Sequence, residues 1–237
     1  MSLPPVRIAV VDSGIDASHP QLAGRVELAY QLDASGNSFL PPKHSPEENA
    51  DVLGHGTAVA SVIAKLALNA SLVDIRVFHR GTALPGAAVL AGLRLALETK
   101  ARVINLSLAL KSAYVPELWS ISEQAYRQNQ IIIAARRNMP LVENGFPAEF
   151  SSCIGVDREV LPTPYHVRYR PDQAIEFATN GEEIKVAEAG GGYSIRTGTS
   201  FAAPAVSAFC SLLLGRFPDL RLFEIKTILK DIGDATT

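Results

Sequence analysis

Three segments carry residue types that together could make an activated serine: Val11-Asp12-Ser13-Gly14-Ile15-Asp16, Gly54-His55-Gly56-Thr57 and Gly198-Thr199-Ser200-Phe201-Ala202-Ala203-Pro204. A serine hydroxyl is a weak nucleophile at neutral pH. It needs a base to take its proton and a third group to hold that base in the right tautomer. Asp12, His55 and Ser200 supply these roles in the chain order acid, base, nucleophile. An imidazole titrates near ~6.5, which suits His55 to act as general base and then general acid in an acyl transfer. Each segment also has a plainer reading. Asp-Ser-Gly after an apolar run is a common strand exit, and His-Gly-Thr or Gly-Thr-Ser can open a helix. The joint presence and order of the three favour the catalytic reading.

Such residues act together only if the fold gathers them. Apolar runs at 8–11, 72–78, 103–106 and 131–135 read as buried strands, and 59–68, 87–98 and 117–127 read as helices between them. This alternation predicts a parallel sheet covered by helices on both sides. Asp12, Ser107 and Asn138 then lie at or just past the carboxyl ends of strands, where functional residues gather in such sheets. Segments 33–51 and 157–173, rich in proline or polar residues, read as surface loops, and 200–214 and 220–230 read as closing helices. Ser200 falls at a helix start, whose free N–H groups and partial positive charge favour an oxyanion.

The triad segments and their order resemble the subtilisin-like serine peptidases, or subtilases, and the likeness runs over about residues 6–229. It implies a single-domain subtilisin-like α/β fold over 1–237, with a mostly parallel sheet flanked by helices on both faces. It also implies hydrolysis of peptide bonds in peptide or protein substrates through an acyl-enzyme. Asn138 ends the segment Ile131-Ile132-Ile133-Ala134-Ala135-Arg136-Arg137-Asn138, which resembles the family's strand leading to Ala-Gly-Asn. The resemblance makes its amide an oxyanion donor beside the Ser200 N–H; losing such a donor costs about 2.7 to 4 kcal/mol, a magnitude measured on a subtilisin. Asn138 could equally be a turn residue before Met139-Pro140. The run from Val103 to Leu108 resembles the strand to which an extended substrate adds, placing Ser107, Leu108 and Ala109 at the substrate. Asp16 matches a turn position and takes a structural role.

Three departures from the family pattern stand out. Arg136 and Arg137 occupy positions that are usually small and help to wall the pocket for the residue before the cleaved bond. A guanidinium there could select an acidic side chain or plug the pocket, or both arginines could point to solvent. Ala109-Leu110 stands where two glycines are usual, which narrows the groove. Gln21 replaces an acidic calcium ligand, and 59–68 runs without the usual inserted loop, so the family's calcium site is expected to be absent. No cofactor is implied. A narrow, processing-type specificity follows from the altered pocket. The alternative is a catalytically silent or partner-activated peptide-binding or scaffold protein whose cleft the arginines have closed.

With 237 residues, 47% of them hydrophobic and 19% charged, the chain can bury a sizeable core. A net charge of -2 gives no attraction for nucleic acid, and no apolar run is long enough to span a bilayer. The first residues lack the pattern of a secretory signal, and no propeptide is expected in the chain. Cys153 and Cys210, in apolar segments, are expected as free thiols, which fits a cytoplasmic location, although a secreted mature form would read the same. His19, His44, His79 and His166 lack ligand spacing with cysteines or carboxylates, so no metal site is expected.

Overall fold

Runs such as Val6–Asp12 and Ile131–Ala135, β-branched and too short for helices, become strands that are buried on both faces. The structure is a computed structural model that describes residues 3–33, 38–40, 42, 45–79, 86–138 and 145–235. Its strands are β1 (Val6–Asp12), β2 (Val26–Gln31), β3 (Ala70–Arg76), β4 (Val103–Leu106), β5 (Ile131–Ala135), β6 (Cys153–Glu159), β7 (Val167–Tyr169) and β8 (Phe177–Asn180). They form one sheet in the order β2-β3-β1-β4-β5-β6-β8-β7, parallel throughout except for β7 on β8. A separate antiparallel hairpin pairs β9 (Ile184–Ala187) with β10 (Tyr193–Arg196).

Side-chain alternation along β1 divides the core. Ile8 and Val10 pack with residues of α1 (His55–Leu66), α4 (Thr199–Arg216) and α5 (Leu222–Ala235). Ala9 and Val11 point to the other face and pack with α2 (Gly86–Glu98) and α3 (Val115–Arg127). Helices therefore cover both faces, as the sequence pattern predicts. No helix among the described residues is long and apolar enough to cross a membrane.

β3 flanks β1 on one side and β4 on the other, so the strand order reverses at β1. A crevice opens at the carboxyl ends of strands at such a reversal. Asp12 ends β1 and Ser107 follows β4, which puts both at this point.

The boundaries differ from expectation in places. The helix expected over 59–68 begins at His55, and the strand expected over 72–78 ends at Arg76. The segment 157–173 is only partly loop: it holds the end of β6 and the whole of β7, with loops at 160–166 and 170–173. Its polar residues satisfy one another within the sheet, since Asp157 pairs with Arg136 and Arg170, and Glu159 pairs with Arg168 and Arg170. Cys153 and Cys210 are free and buried, and burial pushes both thiols up to about 12, so neither is a reactive thiolate.

Candidate active site

Asp12 and His55 are brought together by the seam between the exit of β1 and the start of α1. Asp51, four residues ahead of His55, makes that seam. One carboxylate oxygen accepts the N–H groups of Leu53 (3.1 Å) and Gly54 (2.8 Å) and the Ser13 hydroxyl (2.7 Å). The other accepts the Thr57 N–H (2.8 Å) and hydroxyl (2.6 Å). The backbone N–H groups among them are donors that a helix start leaves unpaired. Two bonds close the seam from the other side: Gly56 N–H donates to Ser13 Oγ (2.9 Å), and Asp16 N–H donates to Thr57 Oγ1 (2.9 Å). Gly56 is needed for the approach, because a methyl group on it would overlap the Gly14 carbonyl oxygen and press on Asp12 Cβ at 3.2 Å.

The outcome is a bond of 2.7 Å between His55 Nδ1 and Asp12 Oδ1. The Asp12 side chain is fully buried, while a quarter of the imidazole reaches the surface. Asp12 Oδ1 also accepts the Ser13 N–H at 2.7 Å, and the Phe201 ring packs against the imidazole. Burial opposes a charged imidazole. The charge and hydrogen bond of Asp12, with Asp51 behind it, outweigh burial and hold the His55 pKa above its ordinary value; Arg196 acts in the opposite direction.

Ser200 is the second residue of α4, and its backbone is anchored from below. Pro204 has no N–H to donate to the Ser200 carbonyl four residues earlier, so that oxygen is left unused by the helix. Ser107 Oγ takes it, at 2.9 Å. Ser107 Oγ in turn accepts from Asn105 Nδ2 (3.0 Å), and Asn105 Oδ1 accepts from Ser207 Oγ (2.9 Å) two turns farther along α4. The Ser200 hydroxyl itself donates to the Ser107 carbonyl oxygen at 3.1 Å.

Asn138 lies past β5 and is exposed. Its Oδ1 accepts the Thr199 hydroxyl (3.2 Å) and N–H (3.4 Å), which leaves its Nδ2 donor uncommitted among the described residues. Thr199 also donates to the Arg136 carbonyl oxygen at 2.7 Å, tying the end of β5 to the start of α4. A cavity of about 460 Å³ is lined by His55, Ser107, Leu108, Ala109, Arg136, Arg137, Asn138 and Ser200 among others, so the sequence-selected residues other than the buried Asp12 share one cleft. The two arginines differ. The Arg136 guanidinium is held by Asp157 at 2.6 Å, with Arg170 on the same carboxylate at 2.8 Å. Burial works against that carboxylate, but the two arginines keep its pKa below the usual value. Arg137 and Ala109 flank Gly145, where an added methyl would meet the Arg137 backbone nitrogen at 2.8 Å and Ala109 Cβ at 3.3 Å.

The remaining candidates are structural. Asp16 accepts from Ser18 and from the Gly190 N–H (2.8 Å), and the buried His19 ring bonds to the Gly192 carbonyl (3.0 Å) and the Gln21 N–H (3.1 Å). Gln21 donates its amide to the Ser61 carbonyl at 2.6 Å, bridging this turn to α1. No cluster of metal-binding side chains occurs among the described residues. His44 and Met139-Pro140 lie outside them. Sequence reading passed over Asp51, Thr199, Gly145 and Arg196. Only Asp51 had a usable signal, an acidic residue just ahead of a helix start.

A model of the Subtilase family matches residues 5–232. The subtilisin-like protease het-Q2 of Podospora anserina is 28% identical over 89% of this chain and 69% of its own length. Subtilisin E of Bacillus subtilis is 28% identical over 90% of this chain and 56% of its own, so the chain spans little more than half of that relative. Among solved structures, sphericase superposes with a TM-score of 0.77 at 22% identity, covering 97% of this chain and 83% of the other. A lanthipeptide protease superposes with a TM-score of 0.73 at 16% identity, covering 94% and 78%. With the family match spanning nearly the whole chain, the protein belongs to the subtilase family of subtilisin-like serine peptidases.

Proposed function

We propose that this chain is a serine endopeptidase in which Ser200 is the nucleophile, His55 the base, Asp12 its orienting partner, and Asn138 with the Ser200 N–H the oxyanion donors. The observation that carries this reading is the 2.7 Å bond from His55 Nδ1 to a fully buried carboxylate, at the edge of the cleft that Ser200 and Asn138 line. With Nδ1–H donated to Asp12, Nε2 is the basic nitrogen. The Ser200 hydroxyl turns from the Ser107 carbonyl, passes its proton to Nε2 and attacks the peptide carbonyl carbon. The oxyanion so formed is held by the two N–H donors. His55 then protonates the leaving amine as the carbon–nitrogen bond breaks, leaving an acyl group on Ser200 that water removes by the same steps.

Specificity in this reading is narrow and of the processing type. Leu108, Ala109 and Arg137 line the cleft beside Ser200, which in this reading is the pocket for the residue before the bond and admits only some side chains. Solved relatives of this fold include a lanthipeptide protease and a prenylagaramide maturation protease, so the fold accommodates processing enzymes. The buried unpaired thiols suit a reducing, cytoplasmic compartment.

A second reading, a silent peptide-binding protein, draws on one observation: the Ser200 hydroxyl bonds to Ser107 and not to His55. Fluorophosphonate labelling with mass mapping separates the two, with Ser200→Ala as control. Rapid modification of Ser200, absent in the control, is the expected result. A folded protein that stays unlabelled would sink the peptidase reading and leave the silent one.

A further inference from the structure

A second cavity, of about 590 Å³, meets the first at the catalytic residues and is lined by His55, Glu188, Ser194, Ile195, Arg196 and Phe201 among others. Ser200 and Asn138 border both cavities. A peptide whose carbonyl sits at Ser200, with its acyl part along Ser107–Ala109, must therefore carry its leaving part into the second cavity. That cavity is built from the β9–β10 hairpin and the link from β10 to α4, which places Arg196 four residues from the nucleophile. The hairpin is anchored at its turn, where Asp16 accepts the Gly190 N–H and His19 bonds the Gly192 carbonyl.

Arg196 is the one guanidinium among the described lining residues of this cavity, and it is lightly engaged. Its Nε donates to Ser194 Oγ at 3.3 Å, and its Nη2 lies 3.7 Å from Glu188 Oε1, an ion pair beyond hydrogen-bond reach. Both charged side chains are about two-fifths exposed. Most of the five guanidinium donors are thus open to a ligand, and a carboxylate matches them two at a time. Glu188 lies at the turn end of the hairpin, so a ligand carboxylate competes with it for Arg196.

We propose that Arg196 selects substrates carrying a carboxylate on the leaving-group side, within the first two residues after the cleaved bond. The inference rests on the peptidase reading of the same site. The carboxylate can come from an aspartate or glutamate side chain, or from the free C-terminus of a short leaving peptide. Arg196 is a specificity residue and takes no part in the bond-making steps.

The test measures kcat/KM on quenched peptide libraries, mixed at the positions before the bond, with aspartate, alanine or lysine at the two positions after it. A parallel pair ends two residues after the bond in a free acid or an amide. The wild-type enzyme is expected to favour aspartate over alanine at least tenfold and to disfavour lysine. If the terminus is the source, the preference appears in the acid over the amide instead. Arg196→Glu is expected to invert the order so that lysine leads, a gain that a misfolded variant cannot produce. If Arg196→Glu fails to fold, Arg196→Gln is expected to level the three rates. Equal wild-type rates across both sets, or an aspartate preference surviving in either variant, would overturn the proposal while Ser200 labelling leaves the peptidase reading standing. Cleavage of no peptide together with no labelling of Ser200 overturns both.

Discussion

His55 sits where three charges pull on one proton. Burial and Arg196 favour the neutral ring, whereas Asp12 and Asp51 favour the charged one, and the carboxylates prevail. In the proposed mechanism Nε2 must be neutral, so the acid limb of the kcat/KM profile reports this pKa in the free enzyme. The limb should therefore have its midpoint above 6.5, with activity falling as pH drops through it. A midpoint at or below 6.5 would mean that the carboxylates do not govern the imidazole. At this scale the sequence was most legible. Asp12, His55 and Ser200 stand out because the chemistry restricts each position to a residue type and the flanking motifs are local. Arg136 was not legible as a residue with a partner. Its carboxylate is on a neighbouring strand, 21 residues away, and only the pairing of β5 with β6 brings the two together.

At the scale of elements, the site is a set of joints, and each joint depends on a small residue or a missing donor. Pro204 releases the Ser200 carbonyl to Ser107, and Gly56 lets α1 close on the exit of β1. Gly56→Ala tests the second joint. Its methyl has no room beside Gly14 and Asp12, so the first turn of α1 must withdraw and carry His55 from its partner. Overpacking of this kind costs roughly 1–3 kcal/mol, and a displacement near 1 Å in a catalytic group costs on the order of 100-fold in rate. The variant should melt at a lower temperature and lose more activity than its unfolded fraction explains. Calorimetry beside kcat/KM decides this, and wild-type values in both would show that the joint has slack. Strands β4 and β5 were readable because unbroken apolar runs end just before the site. β7 and the end of β6 were not, since Asp157, Glu159, Arg168 and Arg170 look like a solvated loop until their mutual pairing is seen. The β9–β10 hairpin left no periodic signal, because its strands are short and its turn ends in three glycines with positive φ.

For the whole molecule, the least expected feature is a carboxyl group buried on an interior strand of the sheet. Asp74 on β3 pairs in register with Val10 of β1 and is completely buried. Its Oδ2 accepts the Ile15 N–H at 3.0 Å and the Asn49 amide, while Oδ1 has no partner among the described residues. Burial is the main cause that pushes its pKa up, to about 8; the bonds from Ile15 and Asn49 oppose this, Asp51 adds to it and Arg76 subtracts. The sign for stability follows from proton counting. Between about pH 4 and pH 8 the folded state holds a proton on Asp74 that the unfolded state has released, so stability falls as pH rises through that window and levels off above it. The slope approaches about 1.4 kcal/mol per pH unit, reaching on the order of 5 kcal/mol across the window. Asp74→Asn imitates the protonated form and cannot ionise. Compared with the wild type it should gain stability steadily from pH 5 to pH 8, and at this chain length each kcal/mol moves Tm by about 2–4 °C. Denaturant unfolding of both proteins across that range measures the difference directly. Parallel stability curves would mean that Asp74 is already ionised in the fold, with its charge compensated by the polar groups around it.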